Sequence, residues 1–111
     1  MTTDTIHEVV QRFAAEASRL YGQSLCAVIL YGSCARGDFS SDSDVDIFVL
    51  LDVETEQLFA ERRKLSSISD SIDLEYDVVL APVVQCLSTF ERYLPVSVFY
   101  QNIEREGIRV A

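Results

Sequence analysis

Two short apolar runs and the loop between them constrain this chain more than any other feature. Leu25 to Leu30 reads LCAVIL and Val45 to Leu51 reads VDIFVLL; runs of this length and apolarity are read as buried central strands. Between them the first run stops at Tyr31-Gly32-Ser33, a polar loop covers Asp38 to Ser43, and Asp44 and Asp46 open the second run. Side chains on a strand switch faces at every residue, so Asp44 and Asp46 share one face while Val45, Ile47, Val49 and Leu51 share the other. Carboxylates held side by side repel unless a cation lies between them, and hard divalent ions such as Mg²⁺ favour such oxygen donors. The pair therefore predicts a metal.

The turn before the acids has its own chemistry. Gly32 lets backbone approach a ligand closely, and Ser33 offers a hydroxyl and an N–H at the start of a short helical turn, Ser33 to Arg36. Unpaired N–H groups at such a start favour anions, and Arg36 adds a fork of donors. A phosphate grip and a metal grip thus lie close together.

Composition narrows the field. A chain of 111 residues builds one core, so residues 1–111 are read as one domain. Eighteen acids against nine bases give a formal charge of −9, which disfavours nucleic acid and anionic membrane surfaces as partners. Cys26, Cys34 and Cys86 are odd in number with no C-x-x-C spacing, which suits reduced thiols in a cytoplasmic protein. No apolar run approaches membrane-spanning length and no signal-peptide pattern is present.

Helical spacing of Ile6, Val9, Val10, Phe13, Ala14, Ala17 and Leu20 predicts an amphipathic helix from about Asp4 to Tyr21, with Gly22 as its stop and the lone His7 on the polar side. A second helix is expected from about Glu54 to Asp70, with Leu58, Phe59, Leu65 and Ile68 as a buried stripe and Glu61, Arg62, Arg63 and Lys64 around it. Ile72 to Leu80 returns to period two, with Asp73, Glu75 and Asp77 on one face, and predicts a third strand that Pro82 ends. Ser88-Thr89-Phe90-Glu91 fits a capping box for a short helix. A last helix is expected before Gly107, with Ile108 to Val110 as an edge strand or tail, and Tyr93, Phe99 and Tyr100 are read as packing residues.

Rival motifs fail on particular residues. Asp42, Asp44 and Asp46 imitate the opening of an EF-hand loop, but Ile47 stands where Gly is needed and Val53 where Glu is needed. Neither the P-loop pattern nor G-x-G-x-x-G occurs.

Gly32-Ser33, ten residues, then Asp44-x-Asp46 resembles the signature of the DNA polymerase beta type nucleotidyltransferase superfamily. The context GSCARGDFSSDSDVDIFV is most similar to its minimal nucleotidyltransferase (MNT) branch. The resemblance implies an α/β (α+β) fold: a small mixed sheet of three to four strands with helices packed mainly on one face. It implies transfer of NMP, AMP from ATP by analogy, to a hydroxyl acceptor with two Mg²⁺ or Mn²⁺ ions. Asp44 and Asp46 would bridge the ions, while Gly32, Ser33 and Arg36 hold the NTP phosphates. Relatives carry a third acid on a neighbouring strand in a D-V-V context, which Asp77-Val78-Val79 matches, with Asp73 and Glu75 as alternatives on the same face. Because larger relatives use a further helical domain for the acceptor, the acceptor surface here is expected from a second copy or another protein. MNT proteins are commonly paired with HEPN-domain ribonuclease toxins, which they adenylylate as antitoxins; that partner is implied by analogy alone. Two rival functions are a small-molecule acceptor such as an antibiotic, and a non-catalytic module that silences its partner by contact.

Overall fold

Thr2 offers its hydroxyl oxygen to the N–H of Thr5 and so starts helix α1 (Thr3–Tyr21), which ends where Gly22 turns to a positive φ of 55°. In the computed structural model, which describes residues 1–111, α1 buries most of the apolar stripe expected of it, Ile6, Val9, Val10, Phe13, Ala14 and Ala17, while Leu20 in its last turn is exposed. Strand β1 (Leu25–Tyr31) follows, then the one-turn helix α2 (Ser33–Arg36), then strand β2 (Val45–Leu51). These limits agree with those expected from the two apolar runs.

The next expectations need correction. Helix α3 covers Leu58–Tyr76, so the stretch from Ile72 read as a strand is the last turn of this helix and the loop after it. Ile72 is fully buried while Leu74, two residues on, is 88% exposed; a strand would have put both on one face. Alternation over a few residues misled because Asp70, Asp73 and Ile72 also satisfy the 3.6 period that governs the whole helix. Phe59, assigned to the buried stripe, is 71% exposed, and Glu61, placed outside it, is buried.

Strand β3 (Leu80–Cys86) therefore begins where the expected strand ended, and Pro82 lies inside it. The position is tolerated because β3 is an edge strand. Val45 N–H donates to the Val79 carbonyl at 2.8 Å and β2 and β3 run parallel with Val45 opposite Leu80. Residues 81, 83 and 85 thus turn their amides toward β2, and the missing N–H of Pro82 falls on the free edge. Helix α4 (Leu87–Tyr93) starts directly after β3 with Cys86 at its N-cap and no side-chain cap bond, so the Ser88–Glu91 capping box is not used. Helix α5 (Val98–Glu106) is capped by Ser97, whose hydroxyl accepts from Tyr100 N–H, and strand β4 (Ile108–Arg109) closes the chain.

The sheet has the order β3-β2-β1-β4, antiparallel except for the β2–β3 pair. This is the mixed sheet of an α+β fold. The two long helices cover one face, burying Val28, Leu30, Val45, Ile47, Val49 and Leu51. The short helices α4 and α5 cover the other with a smaller cluster around Phe48, Leu50, Phe90 and Ile103. Tyr100 packs on Phe48 at a ring separation of 5.9 Å, as expected; Phe99 touches Phe48 at 6.2 Å but is itself exposed, and Tyr93 is exposed with Arg92 over its ring. No helix is long and apolar enough to cross a membrane.

The helical assignment of residues 72–76 sorts two neighbouring apolar residues. Ile72→Ala should cost about 2–5 kcal/mol of unfolding free energy, and Leu74→Gln less than about 0.5 kcal/mol, measured by urea titration. Similar costs at both positions would restore the strand reading.

Candidate active site

Asp46 is the second residue of β2 and stands directly across the antiparallel pair from Tyr31, the last residue of β1. Gly32 follows at φ 73°, ψ −155°, a conformation that only glycine takes without strain. A Cβ built there would overlap the Asp46 carboxylate. The turn and the acid are therefore fitted to each other, and Gly32 is the only residue that lets the carboxylate lie against the main chain.

Burial is the main cause that raises the Asp46 carboxyl above its ordinary range; the Asp44 charge adds to it, and Arg36 works in the opposite direction. The field of the pair spreads. Burial first and Asp46 second push up the Tyr31 phenol, and burial, Asp46 and Asp44 push up the Cys34 thiol. Cys34 is buried with its thiol 3.5 Å from the Asp44 carbonyl, a packing residue as expected. Arg36 is exposed and ion-paired with Asp38 at 3.3 Å, a contact of little energetic weight in water.

Two hollows flank this strand end. One of about 410 Å³ brings Asp44 and Asp77 onto a common wall with the Ser41–Ser43 loop. The other, about 150 Å³, lies beside Gly32 and Arg36 and is closed by Tyr31 and by Phe99 and Asn102 of α5. Tyr31 and the α5 residues were missed in the sequence, where nothing but the place of Tyr31 before Gly32 marks them; only the sheet register reveals that it faces Asp46.

The third carboxylate does not arrive as expected. On β3 the residue opposite Asp46 is Ala81, and the strand starts only at Leu80, opposite Val45, so no acid of β3 stands beside the pair. Asp77 instead caps α3 in the left-handed conformation, φ 54°, ψ 50°, before the strand begins. Glu75 points outward and pairs with Arg12, and Asp73 gives its carboxylate to the Leu80 N–H at 2.9 Å. No three metal-ligating side chains converge closely enough to hold an ion. The Asp44/Asp46 pair alone has the character of a cation site: hard oxygen donors with excess negative charge, offset only by an exposed arginine.

A family model described as a nucleotidyltransferase domain matches residues 10–110. Two curated proteins of Methanocaldococcus jannaschii are similar to the chain. "Putative protein adenylyltransferase MJ0141" is 30% identical over 95% of this chain and 98% of its own length. "Putative protein adenylyltransferase MJ0604" is 29% identical over 90% and 92%. A crystal structure of a putative nucleotidyltransferase from Sulfolobus solfataricus superposes with a TM-score of 0.64 at 17% identity, covering 96% of this chain and 80% of that one; this likeness concerns the fold.

Two outcomes follow from the fit between turn and acid. Gly32→Ala should displace the Asp46 carboxylate and destabilise the protein by about 1–3 kcal/mol, read by urea titration. Because the folded-state pKa of Asp46 is raised, its ionisation works against folding: metal-free protein should lose stability as pH rises through that pKa. Asp46→Asn should remove this loss and raise the melting temperature at neutral pH by on the order of a few degrees, seen in thermal melts across pH 4–8.

Proposed function

Because the chain belongs to the nucleotidyltransferase domain family, we propose that it transfers AMP from ATP to a hydroxyl group on a partner protein at the end of β2. The enzyme class follows from the family; the acceptor and the nucleotide are the finer reading, supported by the relatives' description as protein adenylyltransferases. The single observation that carries the assignment to this site is the fitted pair of Gly32 turn and Asp46 carboxylate, with Asp44 beside it.

In nucleotidyl transfer an acceptor hydroxyl attacks the α-phosphorus of the NTP in line and pyrophosphate leaves. Asp44 and Asp46 are assigned to hold two divalent cations, Mg²⁺ or Mn²⁺, and Asp77, which lines one cavity together with Asp44, is assigned to the acceptor side. When bound, such ions would neutralise charge on the attacking and leaving oxygens. The chain's own groups do the rest. Gly32 and Ser33 present the start of α2 to the outer phosphates, and Arg36 exchanges its weak pair with Asp38 for the tail of the nucleotide. A cation held between Asp44 and Asp46 would favour the ionised form of Asp46 against the burial that raises its pKa.

The MNT resemblance extends this reading to a HEPN-domain toxin as the acceptor, with the chain as its antitoxin. A hetero-oligomer would then supply the acceptor surface.

The test uses ATP labelled at the α-phosphate, the purified chain and a HEPN-domain protein as the candidate acceptor. Label should move to that protein with a divalent cation present and stay in ATP with a chelator. Asp44→Asn with Asp46→Asn should lower transfer by at least about 100-fold while circular dichroism shows an intact fold. Undiminished labelling in the double variant would overturn the site; label on a small molecule alone would overturn the acceptor.

A further inference from the structure

The loop from Asp77 to Leu80 carries one carboxylate of the site and has to be held in place. Three of its four amides end on a single residue. Asp77 N–H and Val78 N–H both donate to the Asp73 carbonyl, the latter at 3.4 Å, and Leu80 N–H donates to the Asp73 carboxylate at 2.9 Å. The Leu80 amide points to the free edge of the sheet, where no strand could receive it. Within this span Asp77 is the only non-glycine residue of the protein with a positive φ, a conformation that costs an L-residue energy unless its surroundings fix it.

We propose that Asp73 is the positioning residue of this site: it ties the end of α3 to the start of β3, and thereby holds Asp77 in the lining of the cavity that Asp44 also lines, and it does not itself bind an ion. The proposal rests on the function assigned above and deepens it, since it decides which of the three acids near residue 75 works at the site. Asp73 acts through geometry: its Oδ1 is committed to the main chain at Leu80. Glu75 is spent on Arg12 at the outer surface. Asp77, which lines the same cavity as Asp44 and whose carboxylate makes no hydrogen bond or ion pair, is the one left for chemistry.

The variants separate geometry from charge. Asp73→Asn keeps an acceptor oxygen at the right reach but loses the charge; Asp73→Glu keeps the charge and displaces it by a methylene; Asp73→Ala removes both. Amide exchange at Leu80, followed by NMR, should be unchanged in Asp73→Asn and about tenfold faster or more in the other two. Under conditions where melting curves show each variant fully folded, kcat for nucleotidyl transfer should stay within about threefold of wild type in Asp73→Asn and fall about tenfold or more in Asp73→Glu. If Asp73→Ala does not fold, the Asn and Glu pair decides the matter. A fall in Asp73→Asn as deep as in Asp73→Glu, with Leu80 still protected, would make Asp73 an ion ligand and overturn the proposal. Wild-type transfer by Asp73→Glu would overturn it too. Should the wild-type protein transfer nothing, the functional reading falls, while exchange at Leu80 still decides whether the clamp exists.

Discussion

Two carboxylates of like charge stand at the mouth of β2, the most thoroughly buried strand of the sheet, and the rest of the molecule is arranged around keeping them there. From Ile47 to Leu51 every residue of β2 is buried, so the strand cannot slip to relieve the repulsion: moving the register by one residue would drive Ile47, Val49 and Leu51 out of the larger core. Asp46 is half-buried, and its neighbour Asp44 is exposed, which lets water screen one member of the pair but not the other. The energy held in this way is a cost to the free protein and a source of affinity for whatever cation neutralises it.

The order of the strands explains why the site assembles at this end. β1 runs antiparallel to β2, so the turn after β1 arrives at the start of β2; β3 runs parallel to it, so the loop before β3 arrives at the same place. A parallel neighbour requires a long crossover, and α3 provides it. The glycine turn and the Asp77 loop thus converge on Asp44 and Asp46 from opposite sides by topology alone, with α5 lying over the first of them through Phe99 and Asn102.

Much of this could be read in the chain. The two central strands, the α2 turn and the acid pair are local features, set by runs of apolar residues, one glycine and a spacing of two. The third strand was not legible, because Ile72 to Leu80 satisfies two periods at once, and what selects the helix is tertiary: Ile72 packs in the core beneath α1 and β3 while Leu74 meets only water. The D-V-V context singled out Asp77, with Asp73 and Glu75 as alternatives, but its left-handed cap conformation left no mark there: it goes with a bond between residues seven apart, Asp73 and Leu80. Tyr31 and the α5 wall were out of reach for the same reason: cross-strand register and the return of a distant helix leave no mark on neighbouring residues.

The free margin of β3 has a meaning for how this protein meets others. Leu80 N–H is occupied by Asp73, Pro82 has none, and Cys86 N–H is taken by the Gln85 side chain at 2.9 Å; Val84 alone keeps an outward donor on that side. An extended peptide seeking to add itself as a fifth ribbon would find almost no amides to grip. Recognition along this border has to proceed through side chains, and a crowded solution of the protein has no ready seam along it on which fibres could start.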